Sequence, residues 1–213
     1  MLDVDELAKT LSTTAQRPHL VVPLGDAANR FYASGDSDRS FYLLGAMGMS
    51  LPTALGIAIG TPRPVLAIEG DGGLLMNVGI LTTVARYKPH NLSVVILDNG
   101  SYATTGGQPT SFKFSRGIEA LIRAAGNDDV KTFNVPGSEA ALATWVTSGG
   151  PRFAIAEIAA KPCEAPFVPL APTFIRHRFM GKIAHNPSHQ QLPAINGEVN
   201  EHEKTQRAIL QPG

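Results

Sequence analysis

A single cysteine, Cys163, is all that the 213 residues contain. One thiol cannot close an internal disulfide, so the sequence predicts a protein of a reducing compartment, the cytoplasm. An excess charge is missing too, because 18 basic residues balance 18 acidic ones. A net charge of zero supplies no field to hold nucleic acid or an anionic membrane. It also supplies little repulsion between chains, which favours association. No apolar run approaches the ~20 residues that a membrane span needs. The opening residues carry Asp3, Asp5 and Glu6 and lack an apolar core, so they do not read as a signal peptide. A Walker lysine pattern is absent. So is the Gly-x-Gly-x-x-Gly fingerprint of dinucleotide sites, because Leu75 stands where its last glycine would be.

What is present reads as an α/β protein. The apolar fraction of 43% and charged fraction of 17% suit a globular chain. A chain of this length buries roughly 70% of its unfolded surface and needs no staple. Leu2, Leu7 and Leu11 give residues 3–12 a helical stripe. Residues 19–24 read as a strand running into Gly25-Asp26. Small residues from Ala46 to Gly60 imply close backbone approach, with a helix from about Leu51 that tolerates Pro52 in its first turn. Short apolar runs at 65–69 and 92–97 read as buried strands, joined by a helix over 73–87. Further on, helices are predicted at 115–125 and 138–147 and strands at 130–135 and 153–158. Residues 100–114, rich in Gly, Thr and Ser, read as a mobile loop. Alternating strands and helices predict a doubly wound, mostly parallel sheet with helices on both faces. After Ala160 the composition changes: four prolines fall between positions 162 and 172, and a short helix is expected over 172–184. The predicted organisation is an α/β domain over 1–185 and a polar tail over 186–213, loosely ordered or docked on a partner.

The chemistry gathers at two strand ends. Gly70-Asp71-Gly72 is followed by 25 residues and then Asp98-Asn99-Gly100. In a right-handed β–α–β unit both strands end on the same side. If they are neighbours, Asp71 and Asn99 lie about one strand spacing apart, ~5 Å. That edge of a parallel sheet is where ligands bind. A carboxylate, an amide oxygen and a nearby main-chain carbonyl are hard ligands suited to magnesium. Gly72 and Gly73 open a helix whose first N–H groups face the same spot, ready for an anion. Either triplet alone would be an ordinary turn. The pair, each directly after a buried strand, is far less common by chance.

These residues resemble the diphosphate-binding domain of thiamine diphosphate enzymes, whose motif runs from Gly-Asp-Gly to an Asn some 25 to 30 residues on. The resemblance extends to Gly45-Ala46-Met47-Gly48, to Thr105-Gly106-Gly107-Gln108-Pro109-Thr110 and to Arg178-Phe179-Met180. These flanks are most similar to those of sulfopyruvate decarboxylase β subunits and phosphonopyruvate decarboxylases. The resemblance implies a set of roles. Asp71 and Asn99 would hold Mg2+ by side chains and Ser101 by its carbonyl. Gly72 and Gly73 would donate N–H groups to the diphosphate of thiamine diphosphate, beside Gly70 and Tyr102. Gly25, Asp26 and Ala27 would line the diphosphate side. Gly45, next to Ala46, would accept from the aminopyrimidine, and Met47 would wedge between the two rings. Gln108 and Thr105 would reach the substrate. Related sequences carry a serine near Asn29, which this chain lacks.

The resemblance also implies an activating glutamate on a separate pyrimidine-binding domain of ~150 residues or more, for which this chain has no room. A partner α chain is therefore expected, in an α2β2 or higher assembly. The implied reaction is decarboxylation of a small 2-oxo acid to an aldehyde. A sulfonate or phosphonate substrate would want cations, few of which lie near the motif in sequence. Three alternatives stand beside this reading: the small half of an acetolactate-synthase-like carboligase, a non-catalytic cofactor-binding subunit, and a flavodoxin-like domain with no metal site.

Overall fold

Short runs of Val, Ile and Leu bounded by Gly, Pro or Asn become parallel strands. The computed structural model describes residues 1–114 and 117–183. Its strands are β1 (His19–Val22), β2 (Ser40–Tyr42), β3 (Val65–Gly70), β4 (Leu92–Asp98), β5 (Val130–Phe133) and β6 (Arg152–Glu157). They form one sheet in the order β2-β1-β3-β4-β6-β5, with every neighbouring pair parallel. The helices are α1 (Val4–Ser12), α2 (Asp26–Gly35), α3 (Ser50–Gly60), α4 (Asp71–Met76), α5 (Ile80–Tyr87), α6 (Gly117–Ala124), α7 (Glu139–Val146) and α8 (Pro172–Ile183).

Successive strand residues point to opposite faces, and both faces are covered. Leu20, Val22, Leu66, Ile68 and Val95 pack with Leu7 and Leu11 of α1, Phe31 of α2 and Leu142 of α7. Val21, Val65, Ala67, Val94 and Ile96 pack with Leu51 and Leu55 of α3, Leu81 of α5 and Ile122 of α6. The doubly wound α/β expectation therefore holds, and the burial of both faces explains why β3 and β4 read as unbroken apolar runs. The strand order reverses between β1 and β3, so the crevice at their C-terminal ends is the natural ligand position.

Three local readings needed correction. First, α2 and β2 were not foreseen. α2 buries Asn29 and Arg30 beside Ala28 and Phe31, and those polar residues hide its inward face from a hydrophobicity pattern. Second, the single helix expected over 73–87 is two. Asn77 leaves helical geometry at φ −143°, and its side-chain amide donates to the Gly48 carbonyl at 3.4 Å. Residues 78–81 nevertheless keep turn-like bonds, and Leu74 and Leu81 stay buried while Val78 is exposed. Third, the loop over 100–114 is organised, not open. Ser101 bridges Pro109, Tyr102 N–H donates to the Gln108 carbonyl at 2.8 Å, and Thr110 N–H donates to the Gly100 carbonyl at 3.0 Å.

The chain beyond Ala160 returns to the sheet edge. Phe179 of α8 meets His19 and Phe41 edge-on at ring separations of 5.4 and 5.2 Å. Arg178 grips both oxygens of Asp36 at 2.7 Å each. The boundary expected near 185 and the tail over 186–213 lie outside the described residues.

Candidate functional site

β3 and β4 are adjacent, and their register pairs Gly70 with Leu97. Asp71 and Asp98 are therefore the next residues across, and Asn99 follows. Asp71 opens α4 and is 2% exposed. Its Oδ2 accepts a hydrogen bond from Thr110 Oγ1 at 2.7 Å. Burial pushes its pKa up to about 6 in spite of that bond, and the Asp98 carboxylate adds to the rise. Asn99 Oδ1 accepts from the Ser101 N–H at 2.8 Å, and Asp98 Oδ1 from the Gly100 N–H at 3.1 Å. These tight side-chain turns fix the chain as it leaves β4.

A cavity opens over the two strand ends. Its walls are Leu24, Asp26, Ala27 and Arg30 after β1, Met47 before α3, Glu69 to Gly73, and Asn99, Ser101 and Tyr102 after β4, with Lys161 at the far side. Gly72 has no room for a side chain, because a Cβ there would lie 2.5 Å from the Tyr102 ring. Glycine at 72 is thus what lets the Tyr102 ring close against this turn.

Most of the residues singled out in the sequence meet here. Asp26, Ala27, Met47, Gly70, Asp71, Gly72, Gly73, Asn99, Ser101 and Tyr102 all line the cavity. Gly25 is the N-cap of α2, directly beside it. Gly45 and Ala46 sit exposed on the loop leading to Met47 and are not part of the wall. Gln108 and Thr105 are also exposed and outside the wall. Gln108 folds back on its own turn, with its side-chain amide over Gly106.

Sequence reasoning missed four participants. Thr110 lies in a recognised segment but showed no link to Asp71 until the loop folded. Glu69 looked like the polar end of a strand, yet it is 1% exposed and part of the wall. Burial raises its pKa, while hydrogen bonds from Ser50 and from backbone N–H groups pull it back. The expectation of few nearby cations is corrected by Arg30 and Lys161, which reach the cavity from α2 and from beyond β6. Both are already matched by acids of the N-terminal segment. Arg30 pairs with Asp5 and donates to the carbonyls of Lys161 and Pro162 at 2.9 and 2.8 Å. Lys161 pairs with Asp5 at 2.6 Å and Asp3 at 3.5 Å.

Could these residues hold a metal and a diphosphate? Among the described residues no group of three or more His, Cys, Asp or Glu side chains could hold an ion. The candidate ligands are instead one carboxylate, one amide and one main-chain carbonyl, all hard oxygens. Among the described residues no Lys or Arg pairs with Asp71. A buried carboxylate without a counter-charge, facing a cavity, fits a divalent cation.

A subunit beta of sulfopyruvate decarboxylase from Methanothermobacter thermautotrophicus is 33% identical over 86% of this chain and 96% of its own length. A phosphonopyruvate decarboxylase from Streptomyces viridochromogenes is 31% identical over 91% of this chain and 49% of its own length. Among solved structures, one described as a thiamin diphosphate-dependent enzyme from Mycobacterium smegmatis superposes with a TM-score of 0.60 at 21% identity. It covers 75% of this chain and 32% of the other, and it supports the fold. Residues 25–153 match the family described as thiamine pyrophosphate enzyme, C-terminal TPP binding domain. That stretch runs from the turn after β1 into β6 and takes in both strand ends of the cavity, so the chain belongs to the family of thiamine pyrophosphate enzyme C-terminal domains.

Proposed function

We propose that this chain is the diphosphate-binding β subunit of a two-chain thiamine diphosphate-dependent decarboxylase acting on a sulfopyruvate- or phosphonopyruvate-like 2-oxo acid. The observation that carries the reading is the buried, unpaired Asp71 at a strand end next to Asn99. The names of the relatives support the substrate class.

Asp71, Asn99 and the Ser101 carbonyl would hold Mg2+. The backbone N–H groups of Gly72 and Gly73 would receive the diphosphate, with Gly25, Asp26, Ala27, Gly70 and Tyr102 around it. Met47 would stand between the rings of the cofactor, and the Gly45 carbonyl would accept from its amino group beside Ala46. Thiamine diphosphate when bound supplies the electron sink into which a 2-oxo acid loses carbon dioxide. The chain's own part is to orient the cofactor, exclude water and keep a proton off Asp71 when the metal is present. Gln108 and Thr105, on the loop over the cavity, remain candidates for substrate contact.

The activating glutamate would come from a pyrimidine-binding α chain in an α2β2 or higher assembly. The naming of relatives as subunits supports a partner. So does the surface around Met47, where Leu44, Met49, Met76 and Val78 are exposed. Such a patch on a soluble domain calls for cover.

Thermal unfolding with and without thiamine diphosphate plus magnesium tests the cofactor. We expect a rise in the midpoint that Asp71→Ala abolishes, because the charged metal ligand is lost. A chain that shows no rise, or an Asp71→Ala variant that keeps it, defeats the reading. Product analysis of the assembled enzyme separates decarboxylase from carboligase: an aldehyde supports the former and a hydroxyketone the latter.

A further inference from the structure

Glu69 ends β3, one residue before Gly70. Strand alternation turns it to the face of Val65 and Ala67, toward α3. A carboxyl this deeply buried is costly unless its oxygens are bonded. Its Oε2 accepts from Ser50 Oγ at 2.5 Å and its Oε1 from the Gly70 N–H at 3.2 Å. Its carboxyl also faces the backbone N–H groups of Ser50 and Leu51, which help to hold its pKa down.

Those last two donors have nowhere else to go. A helix starts with N–H groups that lack partners within it. In α3 the N-cap residue, Met49, offers no side-chain bond. Pro52 has no N–H at all. The Thr53 N–H already reaches the Met49 carbonyl at 3.1 Å. Ser50 and Leu51 are thus the open donors of α3, and a carboxyl from a neighbouring strand faces both while it holds Ser50 by its hydroxyl. It fits only because residue 73 is glycine, since a Cβ there would overlap Glu69 Oε1.

The loop before α3 is fastened on its other side as well. Gly48, at φ +83°, lies so close to α4 that a Cβ would stand 2.7 Å from the Gly73 carbonyl oxygen. Asn77 donates to the Gly48 carbonyl at 3.4 Å. Met47 is therefore clamped to the segment that carries Asp71, with Glu69 as the buried side of the clamp.

We propose that Glu69 is a positioning residue that sets the spacing between the Met47 loop and the Asp71 turn, and so between the two ends of the bound cofactor. This rests on the thiamine diphosphate reading above. A ligand that touches only the Asp71 turn does not need the spacing, whereas one that spans both segments does.

Calorimetric titration of the full chain, wild type and Glu69→Gln, with magnesium pyrophosphate and with magnesium thiamine diphosphate tests it. Gln keeps the shape but replaces one acceptor oxygen by an NH2 group facing N–H donors. We expect thiamine diphosphate to bind about tenfold more weakly while pyrophosphate changes by less than about twofold. Should Glu69→Gln fail to fold, Ser50→Ala removes a single bond and is expected to shift the same ratio in the same direction. Equal weakening of both ligands, or of neither, overturns the inference alone. A wild-type chain that binds neither overturns the thiamine diphosphate reading and the inference with it.

Discussion

In the proposed site a proton and a divalent cation would compete for the same oxygens of Asp71. Its pKa of about 6 in the metal-free protein places that competition close to neutrality. Magnesium-dependent cofactor affinity is expected to fall as pH drops through about 6, and a titration at pH 7.5, 6.5 and 5.5 reads it directly. Affinity that is flat across that range would mean Asp71 is not a ligand. His19 shifts the other way. Burial lowers its pKa to about 4, helped by the charges of Arg39 and Arg63, and neither ring nitrogen has a hydrogen-bond partner among the described residues. A histidine held neutral in the fold contributes stability that is full above its unfolded pKa of ~6.5 and is lost as pH falls toward its folded value. Between those limits the loss reaches up to about 3 kcal/mol, and a His19→Leu variant should show a flatter profile of unfolding free energy against pH. The place of Asp71 at the cavity was legible because Gly-Asp-Gly directly follows a buried strand. The burial of His19 was not legible, because part of its cover is the ring of Phe179, 160 positions away in sequence and carried by α8.

Elements divide in the same way. α1 was readable from its Leu stripe, while its cap was not foreseen: Asp3 Oδ1 accepts from the N–H groups of Asp5 and Glu6 at 2.8 and 3.1 Å. Asp3→Ala should cost about 1 kcal/mol, seen as a fall of roughly 2–4 °C in Tm. β3 and β4 were readable because a strand buried on both faces is a continuous apolar run. α2 was not, since its inward face includes Arg30 and Asn29, whose partners are Asp5, the carbonyls of Lys161 and Pro162, and Val168. The break between α4 and α5 was hidden for a related reason. Asn77 stops the helix by bonding to Gly48, a residue on another element.

At the scale of the whole molecule, the sheet order brings the turns after β1, β3 and β4 to one crevice. A partner chain is then expected to complete the site. Mixed with a pyrimidine-binding α chain, the protein should release carbon dioxide from sulfopyruvate or phosphonopyruvate; alone it should release none. Activity in the isolated chain would remove the need for a partner. Among the described residues no helix is long and apolar enough to cross a membrane, in line with the composition. What the sequence determined by itself was the α/β class, the two motif-bearing strand ends and the chemistry of their oxygens, because apolar periodicity and turn residues are local signals. The tertiary structure alone decided that Thr110 reaches Asp71, that Arg30 and Lys161 arrive at the cavity, and that Glu69 bonds the Ser50 hydroxyl at the start of α3. Each of those contacts joins segments far apart in the chain, and only burial and strand order, which no local pattern encodes, bring them within hydrogen-bonding distance.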